Sequence, residues 1–314
     1  MAMNSIIMSM LAETFIHPGS GQNVGAIDLP VAREAATDYP YIAGSSLKGA
    51  LRDAYEQHLR ATLPDTDTPA EADNSNDGSN TNAPSENDEA TEKKSAKDKE
   101  VDKHANSVFG EQAQAGNLVV SDARLLLLPV RSLSGAYKWV TCGHLLERFL
   151  RDLERSGMKQ SHTLPAPAPQ QVITTGSGKL FLEELSFDIQ DGQSEALKGV
   201  VTLLQQYLPS SVSSRLERQL AILHNDDFAW FARYGLAVNA RNQLTDKKTS
   251  NNLWYEETIP PDTLMYTVLA ERRGAPLRDL ANIGHYLQVG GNETVGQGWF
   301  RLQGLEANME ANNA

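Results

Sequence analysis

Residues 40–52 read Pro40-Tyr41-Ile42-Ala43-Gly44-Ser45-Ser46-Leu47-Lys48-Gly49-Ala50-Leu51-Arg52, and the change of hydrophobic spacing inside this stretch decides the fold. Its start suits a short strand. From Leu47 the apolar residues Leu47, Ala50, Leu51, Ala54, Tyr55 and Leu59 fall at helical spacing, so the strand runs into a helix that Ser45 or Ser46 caps. A helix start offers unpaired N–H groups and the positive end of the dipole. With two hydroxyls and Lys48 added, an anion such as phosphate is welcome there. The same residues also make an ordinary capped helix with a solvated lysine. They do not form a Walker A loop, because GxxxxGK[ST] places lysine after the second glycine and here Lys48 precedes Gly49.

Before this stretch, residues 5–17 (SIIMSMLAETFIH) read as a strand entering the turn Pro18-Gly19-Ser20-Gly21. A polar loop to Tyr39 follows, containing Gly25-Ala26-Ile27-Asp28-Leu29-Pro30 and then Arg33-Glu34. After it, residues 64–104 contain no side chain larger than Ala among the aliphatic and aromatic types except Val101, and carry twelve acids against five lysines. Such a segment cannot bury a core, and we expect a disordered acidic insertion, a solvated surface loop that is left out when the fold is read.

Downstream, 117–130 is strand material with a buried run at 125–128. Residues 142–156 form an amphipathic helix with Leu145, Leu146, Phe149, Leu150 and Leu153 on one face and Gly157 to stop it. We expect a strand over 180–189, helices over 194–207 and 212–224, strands over 236–240 and 255–271 with 241–252 as a hairpin tip, and a helix over 276–287. A glycine-rich loop over 290–298 then follows that helix, and 299–305 closes as a strand. The order strand, helix, strands, helix, strand is compatible with an α+β, ferredoxin-like (RRM-like) fold carrying large insertions.

Composition excludes several classes. The chain has 314 residues, 40% hydrophobic and 22% charged, and no apolar run approaches the ~20 residues a bilayer span requires. The N-terminus has no secretory pattern and Cys142 is the single cysteine, which points to a reducing cytoplasm and away from zinc fingers and Cys-ligated clusters. The seven histidines show no HExxH or HxH spacing, so any metal would be oxygen-bound, and with no GxSxG a Ser/His/Asp arrangement has no support. The formal net charge of −12 argues against a nucleic-acid partner, except that the acidity is concentrated in residues 64–104.

Three further groups could carry chemistry. Gly290, Gly291, Gly296 and Gly298 sit in nine residues and permit either close backbone approach to a ligand or a long structural loop; the order is not that of a Rossmann fingerprint. His17 and Asp28 flank the Gly19–Gly21 turn, where a carboxylate beside an imidazole can orient a hydroxyl, accept its proton or hold a divalent ion, or simply be polar loop residues. Trp254-Tyr255-Glu256-Glu257 interleaves aromatics for base stacking with acids that repel phosphate unless a cation intervenes, and it also reads as a solvated strand edge.

Taken in order, IHPGSG at 16–21, GAIDLPVARE at 25–34, PYIAGSSLKGALR at 40–52, FGE at 109–111, LWYEETIPPDTLMY at 253–266 and LQVGGNETVGQGWFRL at 287–302 resemble the RAMP superfamily. Within it they are similar to the backbone subunit of the type III-B (Cmr) CRISPR effector. The resemblance implies a palm over 1–60 and 105–314 with a ferredoxin-like core, inserted fingers, and a thumb β-hairpin in the region 236–270. It implies partners as well: guide crRNA, target RNA, the other Cmr subunits and further copies of the chain in a helical filament, with no membrane. The implied activity is antiviral endoribonuclease cleavage of target RNA at six-nucleotide intervals.

By the same resemblance Asp28 is the cutting aspartate, His17 its companion, and Glu256 and Glu257 the thumb glutamates, all candidate catalytic residues. Ser45, Ser46, Lys48, Arg52, Gly290, Gly291, Gly296, Gly298, Trp254 and Tyr255 are candidate RNA-binding residues. Because a carboxylate of ordinary acidity is a poor base at pH 7, Asp28 is better used to hold a divalent ion, Mg²⁺ or Mn²⁺, with phosphate oxygens. Arg33, Arg241, Lys247 and Lys248 are additional cations for the RNA face. Three alternatives stay open: a non-catalytic guide-RNA scaffold, the related type III-A backbone subunit, and a stand-alone mononucleotide-binding protein.

Overall fold

Strand β1 (Ser5–Ala12) is buried along nearly its whole length because both its faces are covered. Ile6, Met8 and Met10 join one core cluster with Leu125, Met265 and Phe300, while Ile7 and Leu11 join a second on the opposite face with Leu126, Leu127 and Trp139. A continuous apolar run, rather than strict alternation, is what two-sided burial requires. The computed structural model describes residues 3–21, 26–64, 95–158 and 163–305.

The main sheet is mixed. From one edge it runs Tyr286–Gln288, Trp299–Gln303, β1, Leu264–Glu271, Ala123–Arg131, Tyr137–Cys142, Leu220–Leu223, Gln171–Ile173, Leu185–Ile189 and Lys179–Leu182. β1 is antiparallel to both neighbours, with Met10 opposite Met265 on one side and Leu302 on the other. Helix α1 (Gly44–Thr62) covers the first face with Leu47, Leu51 and Tyr55; helix α2 (Ala96–Phe109) packs beside it. Helix α3 (Gly143–Arg155) covers the second face with Leu146, Phe149 and Leu153, and Gly157 at φ 82° follows its end. The result is the expected α+β architecture. A separate two-stranded hairpin, Ala237–Leu244 with Ser250–Thr258, stands off the sheet.

Several sequence expectations need correction. Neither Ser45 nor Ser46 caps α1: Ala43 is the N-cap residue, and the Gly44 N–H donates to the Asp122 carboxylate at 2.7 Å, a partner supplied from the link between the strands Leu118–Val120 and Ala123–Arg131. The acidic insertion, placed at 64–104, does not extend to His104. Residues 65–94 lie outside the described residues, but Ser95 caps α2 through the Asp98 N–H at 3.0 Å, and Val101, Ala105 and Val108 give that helix a buried stripe. The single strand expected at 180–189 is a hairpin turning at Glu183, whose φ is 47°. The helix expected at 212–224 ends in the strand Leu220–Leu223, whose four residues are all buried; a short apolar run fits either element, and the sheet decides. Residues 228–234, read only as an aromatic group, belong to the helix Asn225–Tyr234. Finally, the helix expected at 276–287 is only Pro276–Leu280, so residues 290–298 link two antiparallel strands rather than follow a helix.

Candidate functional site

The loop after β1 is organised before it reaches its tip. Ile16 exchanges backbone hydrogen bonds with Ile259 at 3.0 and 2.9 Å. The chain then doubles back as a narrow antiparallel pair, with Ala32 N–H on Pro18 O at 2.7 Å and Ser20 N–H on Pro30 O at 3.2 Å. Asp28 sits exposed on the returning arm, where its Oδ2 accepts the Tyr255 N–H at 2.7 Å. Leu29 forms a parallel bridge to Glu256: its N–H donates to Tyr255 O at 3.1 Å, and Glu257 N–H donates to its carbonyl at 3.0 Å. Gly25, from the motif that carries Asp28, lies outside the described residues.

Glu256 and Glu257 are buried, at 2% and 4% exposure, and each has its own guanidinium. Glu257 Oε1 takes Arg33 Nη2 at 2.6 Å and its Oε2 takes the Val31 N–H at 3.1 Å. Glu256 Oε2 takes Arg241 Nε at 3.0 Å, while its Oε1 accepts the Asn292 side-chain amide and lies 3.6 Å from His17 Nδ1. Two adjacent buried carboxylates are tolerable only with such compensation. In this geometry both glutamates, expected as catalytic residues, fasten the Asp28 loop and the glycine loop to the hairpin.

His17 is 8% exposed and its Nδ1 lies 2.8 Å from Glu257 O. A carbonyl only accepts, so Nδ1 carries a proton directed at it. Gly19 lies over the other ring nitrogen; a Cβ there would stand 3.0 Å from Nε2. The glycine loop rests on the same backbone. Gly291 N–H donates to His17 O at 2.9 Å, and a Cβ on Gly290, at φ 100°, would meet that carbonyl at 2.8 Å. Gly298, with its φ at 92°, is pressed against Val289 O. Three of the four glycines are therefore required by protein contacts, whereas Gly296 faces open space.

An open groove of about 980 Å³ runs between α1 and this loop, with Gly19, Ser46, Gly49, Gly290, Tyr286 and Trp299 among its lining residues. Lys48 and Ser45 face a separate depression of about 390 Å³ that Arg272 also lines, so the helix start splits its polar groups between two surfaces. Arg52 departs from its expected RNA contact: Nε pairs with Glu56 at 2.8 Å, Nη1 donates to Gly110 O at 2.7 Å and Nη2 to Asn106 at 2.7 Å. It bolts α1 to α2. Arg33 and Arg241, expected on the RNA face, are taken by the glutamates. Trp254 is half-buried opposite Arg241, and Tyr255 is 45% exposed on the other hairpin face. Sequence reasoning missed Asn292, whose φ of 64° marks a constrained turn, and the exposed aromatics Tyr286 and Trp299 beside the groove.

No group of three or more His, Cys, Asp or Glu able to hold a metal occurs among the described residues. The oxygen donor that Asp28 offers is one exposed carboxylate whose Oδ2 accepts the Tyr255 N–H. No helix among the described residues is long and apolar enough to cross a membrane.

A model of the RAMP superfamily matches residues 10–301. The CRISPR system Cmr endoribonuclease Cmr4 of Pyrococcus furiosus is 32% identical over 320 residues, spanning 96% of this chain and 95% of that protein. The crystal structure of oligomeric Cmr4 from P. furiosus aligns with a TM-score of 0.68 at 27% identity, covering 96% of this chain and 97% of that one. A chain of the type III-B Cmr-beta complex bound to cognate target RNA shares the fold, with a TM-score of 0.65 at 18% identity and coverage of 96% and 98%. With the family match running over residues 10–301 and the relative matched over almost the whole chain, the chain belongs to the RAMP superfamily and, within it, to the family of the Cmr endoribonuclease Cmr4.

Proposed function

We propose that this chain is the guide-RNA-binding backbone subunit of a type III-B (Cmr) CRISPR effector and that it cuts complementary target RNA at six-nucleotide intervals in antiviral defence. Its partners are crRNA, target RNA, the other Cmr subunits and further copies of itself in a filament, in the cytoplasm. In this reading the α+β body is a ferredoxin-like palm with inserted fingers, and the hairpin of Ala237–Leu244 with Ser250–Thr258 is the thumb. The observation that carries the proposal is the exposed Asp28 carboxylate, held by the Tyr255 N–H at the foot of that hairpin, in a chain that matches an endoribonuclease over almost its whole length.

RNA brings its own nucleophile, the 2′-OH, so the protein's task is to splay the backbone until that oxygen is in line with the leaving 5′-oxygen. Asp28 meets this task with one oxygen fixed by a backbone donor and an exposed side chain. A divalent ion held there with phosphate oxygens would stabilise charge on the phosphate. His17 stands beside this loop with Nδ1 anchored on the Glu257 carbonyl. Glu256 and Glu257 position the loops; Ser46, Gly296 and the groove aromatics face the guide. Lys48 and Ser45 offer a second phosphate contact.

The test is cleavage of an end-labelled, guide-complementary RNA by the reconstituted complex in Mg²⁺, comparing wild type with Asp28→Asn. The wild type should give a six-nucleotide ladder that Asp28→Asn reduces at least 100-fold while target binding persists. Binding without cleavage in both would make the chain a scaffold. Full cleavage in EDTA would remove the metal from the reading.

A further inference from the structure

Beyond the residues that face RNA, the loop bearing Asp28 is held from a helix that has no part in the candidate site. Arg148 on α3 grips Glu34 with two parallel hydrogen bonds, Nη2 to Oε1 at 2.6 Å and Nη1 to Oε2 at 2.9 Å. Both side chains are largely buried, at 15% and 21% exposure. Thr37 adds its hydroxyl to Glu34 Oε2 at 2.6 Å, and Glu34 N–H closes the turn on Tyr39 O at 2.9 Å. The residue next in chain, Arg33, is drawn elsewhere, toward Glu257 at the hairpin and, at 2.8 Å, toward the carbonyl of Ala232 at the end of the helix Asn225–Tyr234. Consecutive residues are thus pinned to different elements immediately behind the arm that carries Asp28.

We propose that Arg148 is a positioning residue for target cleavage, acting through Glu34 to hold the returning arm of the loop in register with the hairpin. This rests on the assignment of the cut to Asp28. A bidentate guanidinium–carboxylate pair fixes direction as well as distance, which a lysine cannot do. Without the fork the returning arm keeps its bonds to Pro18, Tyr255 and Glu257 but loses its anchor on α3, which loosens the register in which Asp28 is presented. Arg148 touches none of the residues expected to face RNA, so its loss acts on the rate of cutting and not on target affinity. Burial disfavours the Glu34 carboxylate, yet the Arg148 and Thr37 hydrogen bonds outweigh it and lower its pKa, so the pair is ionised at neutral pH.

The experiment uses the reconstituted complex with Arg148→Gln, Arg148→Lys and the charge exchange Glu34→Arg/Arg148→Glu, measuring the single-turnover cleavage rate, target Kd and ladder spacing, with Asp28→Asn alongside. Arg148→Gln should slow cleavage roughly 10–100-fold, as small misplacements of a reacting group do, with target Kd within about twofold and six-nucleotide spacing retained. Arg148→Lys should recover part of the rate, and the exchanged pair should cut faster than Arg148→Gln. Should Arg148→Gln fail to assemble, Glu34→Gln, which keeps the side chain's size and its Thr37 bond, is held to the same criteria. Cleavage by Arg148→Gln, or by Glu34→Gln in its place, within twofold of wild type while Asp28→Asn is inactive overturns this inference alone. An active Asp28→Asn overturns the assignment beneath it, and the inference with it.

Discussion

At the base of the hairpin Glu256 and Glu257 are 2% and 4% exposed and every carboxylate oxygen has a partner, while the neighbouring Tyr255 side chain is 45% exposed and, farther out, Leu253 and Leu244 are each 55% exposed. Both halves belong to one antiparallel ladder with the same backbone geometry. What separates them is cover. Residues 29–33 and Asn292 fold over the base, so its polar side chains must pair within the protein; Asp28 and Leu29 reach the Tyr255 backbone, but the side chains of Tyr255, Leu253 and Leu244 stay exposed and available to a partner.

The sharpest way to break this contrast is Glu257→Ala. It leaves Arg33 and the Val31 N–H without their carboxylate, and removing one member of a buried pair should cost about 3–5 kcal/mol in chemical denaturation. A loss below about 1 kcal/mol would mean the base is no more fastened than the tip. Gly290→Ala comes next, because the new Cβ meets His17 O at 2.8 Å on a backbone at φ 100°. We expect a loss of about 1–3 kcal/mol, read as a lower melting temperature. On the outer half, Leu253→Ser and Tyr255→Ala should leave stability within about 0.5 kcal/mol of wild type. If Tyr255 stacks on a base, its removal weakens RNA binding by about 1–3 kcal/mol in a filter-binding titration.

The smallest effect is on pH dependence. The pKa of Glu34 is lowered from the ordinary 4.5, so the Glu34–Arg148 pair contributes stability that is present above the unfolded value and lost as pH falls through the folded one. Acid unfolding of Glu34→Gln should therefore depend less steeply on pH below about 4.5 than that of wild type. Identical slopes would deny the pair any role in holding the loop.

How much of this was readable in the chain varies with how local the deciding physics is. Helix α3 follows from the spacing of Leu145, Phe149 and Leu153 together with Gly157, because a helix's buried face and its stop are encoded within a few turns. Leu220–Leu223 was misread since four apolar residues carry no period and only their place between two strands makes them a strand. The N-cap of α1 failed for a related reason: Ser45 and Ser46 are the right residue types, but Asp122, from 78 positions away, reaches the helix start instead.

The candidate site divides in the same way. Residue type marked His17 with Asp28 and, separately, Glu256 with Glu257; the family resemblance joined the two pairs, and the structure brings all four around one loop base. Whether a charged side chain works on a ligand or on the protein could not be read there, since it depends on which groups folding places within 3 Å. Arg52, Arg33 and Arg241 looked like phosphate binders and are spent on carboxylates and carbonyls. Composition and periodicity set the class of fold and the chemistry on offer, because burial and helix or strand spacing are local properties of the chain. The tertiary structure decided which charges remain exposed and which are neutralised, because ion pairing is settled by distances between residues such as Glu34 and Arg148 that the sequence holds 114 positions apart.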